Sequence, residues 1–414
     1  MPLTLSRRRL LTTGAAIPLA TPAIVANAAV AGGPAVRIGV LTALSGEYTD
    51  AAGYGSVEGT KMAVEDFIAE YKPGFTIEVV PGDMLDKPDI GITLARTWYD
   101  QDGIDMIVDM PNSAVALGVA TVTREKNKVA MFVSAGADKL TGSACSPNHL
   151  QWLYDTWSIP HVTTTAVIAD GGDSWFFITA DYAYGHAMVD SCTTFIKAGG
   201  GKVLGDRAFP FPDTSDFSFY LLQGQASGAK ILALAMSGGN LINCIKQAHE
   251  FGITRSGQRI VGLGILMTTL HALELETAQG LVYADPFYWD LNDGTRAFSK
   301  RFAPRYRKMM PTMLHAGCYS ATLHYLKAVA AMGVDKAKAD GAAAVAQMKA
   351  IPPRDPLFSN ASIRPDGRKI HDMFLYQVKT PAESRYAWDY CNVRRTIPAA
   401  EAFRPIAEGG CKMV

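Results

Sequence analysis

Short β-branched runs alternating with helix-periodic stretches predict an α/β protein of two doubly wound lobes, each built on a parallel sheet. Two observations carry this. Two successive series of strand–helix repeats each have the size of one domain, and a final third breaks the rhythm with consecutive helices and a late strand. Those last elements are too few for a third core. They are expected to return to the first two lobes, so the chain should cross between lobes several times.

The first series opens with the run 36–41, ended by a Ser/Gly loop and followed by a helix that carries Ala63, Val64, Phe67 and Ile68 at helical spacing. Phe75, Ile77 and Val79 alternate as a strand; Asp86 and Pro88 open a helix that Asp102-Gly103 closes. Strand 105–109, a helix after Asn112-Ser113 and strand 129–133 complete it. The second series runs from the apolar strand around Trp175–Ile178 through helix 185–198, strand 202–208, helix 216–226, strand 231–235 and helix 240–251 to strand 259–263. Beyond it, 281–285 is strand-like, 295–308, 316–331 and 335–349 read as helices, and a turn at Pro365-Asp366-Gly367 precedes strand 372–379. The expected partition is 36–157 plus 287–360 for the first lobe, 158–286 plus 361–390 for the second, and 391–414 as a C-terminal tail.

Residues 1–28 fix the expected compartment. Arg7, Arg8 and Arg9 precede an apolar stretch from Leu10 to about Ala26, and Ala26-Asn27-Ala28 supplies a small-x-small cleavage pattern. Adjacent arginines before the apolar region fit twin-arginine export of a folded protein. Gly14, Pro18 and Pro22 interrupt the stretch, so it reads as a signal peptide rather than a span, which needs about 20 apolar residues. The mature chain is expected to be a soluble periplasmic monomer.

Lys plus Arg and Asp plus Glu each number 39, so no net field favours nucleic acid or an anionic membrane surface. A hydrophobic fraction of 48% and a charged fraction of 19% suit packed cores. The six cysteines lack any C-x-x-C spacing. Cys192, Cys244 and Cys318 interrupt helical patterns as small buried hydrophobes, whereas Cys145 and Cys391 sit in loop-like or strand-end chain and Cys411 in the tail. A bridge that ties the tail down is expected, Cys145–Cys411 first among the pairings.

Catalytic signatures are missing: there is no G-x-S-x-G, H-E-x-x-H or G-x-x-x-x-G-K-[ST]. Gly262-Leu263-Gly264 begins like a dinucleotide fingerprint, but Met267 takes the third glycine position. Val203 follows Gly199-Gly200-Gly201-Lys202 where a phosphate loop needs Ser or Thr. His271 and Glu274 make a lone pair on a helix, which reads as structural rather than metal-binding. No enzyme, cofactor or metal is expected.

Ile38-Gly39-Val40-Leu41-Thr42-Ala43-Leu44-Ser45-Gly46, followed by Gly55 and Glu58-Gly59, resembles the opening of type I periplasmic binding proteins, the leucine/isoleucine/valine-binding class of ABC importers. Thr179–Gly185, Ile245-Lys246-Gln247-Ala248 and Phe251-Gly252-Ile253 are similar to later segments of that class. The resemblance covers the mature chain. It implies two lobes on three crossover strands, closing on a small solute, with a separate permease and ATPase as partners. A ligand sensor for a membrane receptor is the alternative of a different class.

Ligands of open α/β sheets bind beyond the carboxyl ends of the strands. Candidate ligand-binding residues there are Ser45 and Tyr48, Asn112 and Ser113, Ser134, Ala135 and Gly136, and Tyr154; the second lobe offers Asp181, Tyr182, Gly238 and Asn240. Each polar loop alone is commonly a helix cap, but three on one sheet edge favour a site that holds a carboxylate on hydroxyls and backbone N–H groups. The resemblance implies an acid after strand 259–263 to hold an amino acid's ammonium, yet this chain has Gly264-Ile265-Leu266-Met267. Burying an ammonium unpaired is costly. A carboxylate without an amino group is therefore expected, aromatic or aliphatic, with a branched-chain amino acid still open if Asp181 substitutes and a small amide as a further alternative. Trp152, Tyr154, Trp157, Phe287, Tyr288 and Trp289 either wall the pocket or pack the hinge.

Overall fold

The computed structural model describes residues 34–354 and 356–414; the signal-peptide expectation for 1–28 lies outside the described residues. The first lobe forms from β1 (Ala35–Thr42), α1 (Gly53–Tyr71), β2 (Thr76–Asp83), α2 (Pro88–Asp100), β3 (Met106–Asp109), α3 (Ser113–Glu125), β4 (Val129–Phe132) and β5 (His149–Gln151). Its five strands are parallel in the order β2-β1-β3-β4-β5. β3 and β4 are buried along their whole length, as strands covered by helices on both faces must be.

The second lobe repeats the plan with α4 (Ser158–Ala169), β6 (Ser174–Ala180), α5 (Ala183–Ala198), β7 (Lys202–Phe209), α6 (Ser218–Ala226), β8 (Ile231–Ala235), α7 (Gly238–Glu250), β9 (Arg259–Gly262) and α8 (Met267–Ala278). Its parallel order is β7-β6-β8-β9. In both sheets the chain steps outward once and then reverses, which puts a topological switch between β1 and β3 and another between β6 and β8. Crevices at the carboxyl ends of such switches are where this architecture holds ligands.

The final third is shared between the lobes. β10 (Val282–Asp285) leads to α9 (Asp293–Phe302), α10 (Met313–Met332), α11 (Val334–Ala339) and α12 (Gly341–Ala350), and α10 packs along α1 of the first lobe. That approach is close because α1 presents Gly55 and Gly59: a Cβ at Gly55 would enter the His315 ring, and one at Gly59 would meet the His315 carbonyl. Gly55 and Gly59, which follow the opening motif, thus serve helix packing. After the hairpin β11 (Ser362–Ile363) and β12 (Lys369–Ile370), β13 (Met373–Val378) pairs antiparallel with β10 and with β14 (Cys391–Ile397).

Several elements differ from expectation. The helix expected over 335–349 is two, because Asp340 stops α11 and caps α12 by accepting from the Ala343 N–H at 3.1 Å. The helix expected over 295–308 ends at Phe302 and passes into a 3₁₀ turn, Ala303–Arg305. Residues 391–397, expected as tail, are an edge strand; only its two ends are buried, so no alternating pattern announces it. Cys145 and Cys411 form a disulfide that ties the chain end to the first lobe, and Cys192, Cys244, Cys318 and Cys391 are buried thiols.

Candidate ligand-binding site

The carboxyl ends of both sheets face one another across a narrow cleft. From the first lobe it is lined by Tyr48 after β1, Pro111 after β3, Ser134 after β4 and Tyr154 after β5. The second lobe contributes Tyr182 and Tyr184 at the start of α5, Ser237 after β8, and the apolar run Leu263, Gly264, Ile265 and Leu266 after β9. Ile159, Ala284, Met313 and Leu314 complete the wall. Among the described residues, no side chain lining this cleft carries a formal charge.

The hydroxyls are tightly organised. Tyr48 and Tyr182 share a hydrogen bond of 2.5 Å across the cleft, and Tyr182 stacks on Phe211 with ring centroids 4.2 Å apart. Tyr154 donates to the Ser134 carbonyl at 2.7 Å, Tyr184 to the Leu263 carbonyl at 3.2 Å, and Ser237 to the Gly264 carbonyl at 2.7 Å. Burial drives the Tyr48, Tyr182 and Tyr184 hydroxyls well above the ordinary phenol range, so these rings work as neutral hydrogen-bonding groups. Ser134 bonds the fully buried Asp109, whose carboxyl desolvation pushes up. Gly136 lies where the two rings from opposite sides meet: a Cβ there would stand 2.9 Å from Tyr154 and 3.1 Å from Tyr184.

A second cross-cleft contact involves Glu47, a residue for which no local spacing gives a signal. Its carboxylate accepts from the Asn240 N–H at the start of α7 and lies over Gly238 and Gly239, where Cβ atoms would be 3.1 Å and 3.2 Å from it. Gly238 has φ +68°, a conformation only glycine adopts freely, and it lets the helix N-terminus turn toward the acid. Desolvation raises the Glu47 carboxyl to about 7 against the pull of the Asn240 N–H, and Asp86 adds repulsion. Asp86 itself accepts from the Glu47 N–H at 3.0 Å and is raised by burial to about 6.

The remaining candidates fall around the cleft rather than on its wall. Ser45 donates to Asp83 at 2.6 Å. Asn112 caps α3, accepting from Ala114 at 2.9 Å and Val115 at 3.2 Å, and the Ser113 hydroxyl is buried without a hydrogen-bond partner. Ala135 is fully buried and its carbonyl accepts from Gln151. Asn240 holds the Pro212 and Thr214 carbonyls with its side chain. Asp181 is exposed and bonds His186 at 2.7 Å, so it does not supply the acid that Gly264–Met267 lacks. Of the six aromatic residues open to two readings, only Tyr154 lines the cleft. Trp152 donates to Ser320, Trp157 packs on His161 and Phe195, Phe287 on Phe298 and Phe358, and Tyr288 and Trp289 both donate to the Trp388 carbonyl.

Two Rossmann-like lobes with an uncharged cleft between their switch points are the geometry of a solute trap, and a sequence profile described as periplasmic binding protein matches residues 35–384. The chain belongs to the periplasmic binding protein family. It is similar to a solved periplasmic binding protein from Burkholderia mallei, at 43% identity and a TM-score of 0.86, over 92% of this chain and 99% of that one. A branched-chain amino acid ABC transporter periplasmic ligand-binding protein from Burkholderia xenovorans is 39% identical with a TM-score of 0.79, over 91% and 99%. An R. palustris ABC-transporter solute-binding protein in complex with benzoate shares the fold at 23% identity, with a TM-score of 0.78 over 91% and 99%. No curated protein sequence matches the chain. The B. xenovorans and R. palustris proteins are named as binding components of ABC transporters, and periplasmic binding proteins of such transporters bind a small solute and deliver it to a membrane permease. Among the described residues, no helix is long and apolar enough to cross a membrane, and no cluster of three or more His, Cys, Asp or Glu side chains is arranged for a metal.

Proposed function

We propose that this binding protein captures a small carboxylic acid with an uncharged aromatic or branched aliphatic body, closing its lobes on it before delivery to an ABC permease and its ATPase. The observation that carries the reading is the wall of the cleft: four tyrosines and an apolar Leu263–Leu266 ledge, with no acid to pair an ammonium. No acid lines this wall: Glu47 bonds the Asn240 N–H, Asp86 the Glu47 N–H, Asp109 Ser134, Asp285 the Phe287 N–H and Asp155 the Ser158 N–H. The donor for a carboxylate comes from the uncommitted proton of the Tyr48–Tyr182 pair. The benzoate complex in the same fold is consistent with an aromatic acid. Export through the twin-arginine signal would place the protein in the periplasm as a soluble monomer.

The B. xenovorans relative, named for branched-chain amino acid transport, favours a second reading in which the solute is such an amino acid. A thermal-shift panel that pairs each acid with its α-amino counterpart separates the two. At 100 times Kd, a ligand stabilises by about 2.7 kcal/mol, which is readily seen in a melt. The acids are expected to give the larger shifts; leucine or phenylalanine outperforming every deaminated analogue would overturn the carboxylate reading.

A further inference from the structure

The cleft hydroxyls differ in where their protons go. A backbone carbonyl can only accept, so the directions of Tyr154→Ser134, Tyr184→Leu263 and Ser237→Gly264 are fixed. Each of those three residues lines the cleft with its one hydroxyl proton already given, so toward a ligand it can only accept. Tyr48 and Tyr182 bond each other, so one of the two protons is committed and one is left to donate. Ser134 is engaged with the buried carboxyl of Asp109, where either group can donate. The side chains of the wall therefore present three committed acceptors against one free donor. An apolar ligand body against Tyr154, Tyr184 and Ser237 would keep those donated bonds but leave the acceptor lone pairs without a partner on closure, which lowers affinity relative to a ligand that supplies a donor there. A second anionic group there would be repelled by their lone pairs. An ammonium would find acceptors but no countercharge.

We propose that the solute carries, besides its carboxylate, a neutral hydrogen-bond donor such as a hydroxyl, and that Tyr154, Tyr184 and Ser237 select for it by accepting its proton. This rests on the carboxylate reading above and narrows it to hydroxy acids.

The test uses two series of three acids that differ only at the donor. One is 4-methylpentanoate, its 2-hydroxy form and the 2-methoxy ether; the other is benzoate, its hydroxy forms and the corresponding methoxy ethers. Titration calorimetry on the mature protein reads each Kd. In at least one series the hydroxy acid is expected to bind about tenfold or more tightly than both the deoxy acid and the ether, because the ether keeps the oxygen but has no proton to give. Tyr184→Phe and Tyr154→Phe retain the ring and remove the acceptor; in each variant the ratio of hydroxy-acid to deoxy-acid affinity should fall toward one. That ratio is internal to each protein, so a variant with lowered stability does not mimic the result. Acids that bind with no advantage for the hydroxyl, or with the ether equal to the hydroxy acid, overturn the selection while leaving the carboxylate reading intact. If no acid of either series binds, both fall together.

Discussion

Glu47 makes closure of the cleft sensitive to pH. When the lobes part, its carboxylate leaves the start of α7 and returns to water, where it titrates near 4.5; in the closed form burial raises it to about 7. A group whose value is raised in one state binds protons more readily there. Closure therefore takes up a proton; its contribution is complete below about 4.5 and disappears as pH rises through about 7. The gap, about 7 minus 4.5, converts to a ceiling of about 3.4 kcal/mol at 1.36 kcal/mol per pH unit. Solvent screening offsets part of it, since the carboxyl is not fully buried. A net of about 1–2 kcal/mol corresponds to roughly a five- to thirtyfold loss of affinity between pH 5.5 and 8. Calorimetric titrations across that range, with an acid that stays ionised throughout, measure the slope directly. Glu47→Gln keeps an oxygen for the Asn240 N–H and removes the titration, so its affinity should be flat with pH. Asp86, raised to about 6 and bonded to the Glu47 N–H, is the neighbour that titrates in the same window. A slope that survives Glu47→Gln and vanishes in Asp86→Asn would assign the effect to Asp86. Wild-type affinity that is flat, or that rises with pH, would refute the reasoning outright.

Three further outcomes are expected. Gly136→Val would put side-chain atoms into space held by Tyr154 and Tyr184, the nearest 2.9 Å away at Cβ, so ligand-induced thermal stabilisation should be lost while circular dichroism of the free protein stays native. Gly55→Ala intrudes on the buried His315 at the α1–α10 contact and should lower stability by about 1–3 kcal/mol in denaturant titrations; an unchanged midpoint would show that α10 can shift aside. Cys145→Ser opens the link between residues separated by 266 positions and should cost about 2–5 kcal/mol, read as a lower melting temperature that matches the reduced wild type.

The order of strands and helices was legible because buried parallel strands are continuous apolar runs and the helices between them are closed by Gly, Asp and Pro chemistry. Short strands such as β5 and the β11–β12 hairpin gave no run to read, and two longer elements were hidden for physical reasons. α4 reads Ser-Ile-Pro-His-Val-Thr-Thr-Thr-Ala-Val-Ile-Ala, rich in β-branched residues that local propensity assigns to strands, and it is a helix because it packs against α5. β14 carries polar residues over most of its length, since an edge strand needs little burial to be held by the β13 ladder.

At the site, topology carries more information than residue type. Knowing that each sheet reverses direction beyond β1 and β6 places the cleft at the loops after those strands, and Tyr48, Ser134, Tyr154 and Tyr182 of the residues singled out from sequence do line it. Sequence alone does not tell a free polar loop from one already satisfied by its neighbours. Asn112, Gly238 and Asn240 look like ligand donors when read locally, yet Asn112 closes α3 on itself and the start of α7 receives Glu47 from 193 residues away. The same long-range pairing decides which way each tyrosine proton points, and that direction, rather than the presence of a hydroxyl, sets what the cleft can accept. A pocket of tyrosines and serines is chemically ambiguous in sequence because each hydroxyl both donates and accepts. It becomes selective only when the fold supplies carbonyls such as those of Ser134, Leu263 and Gly264 to take the protons.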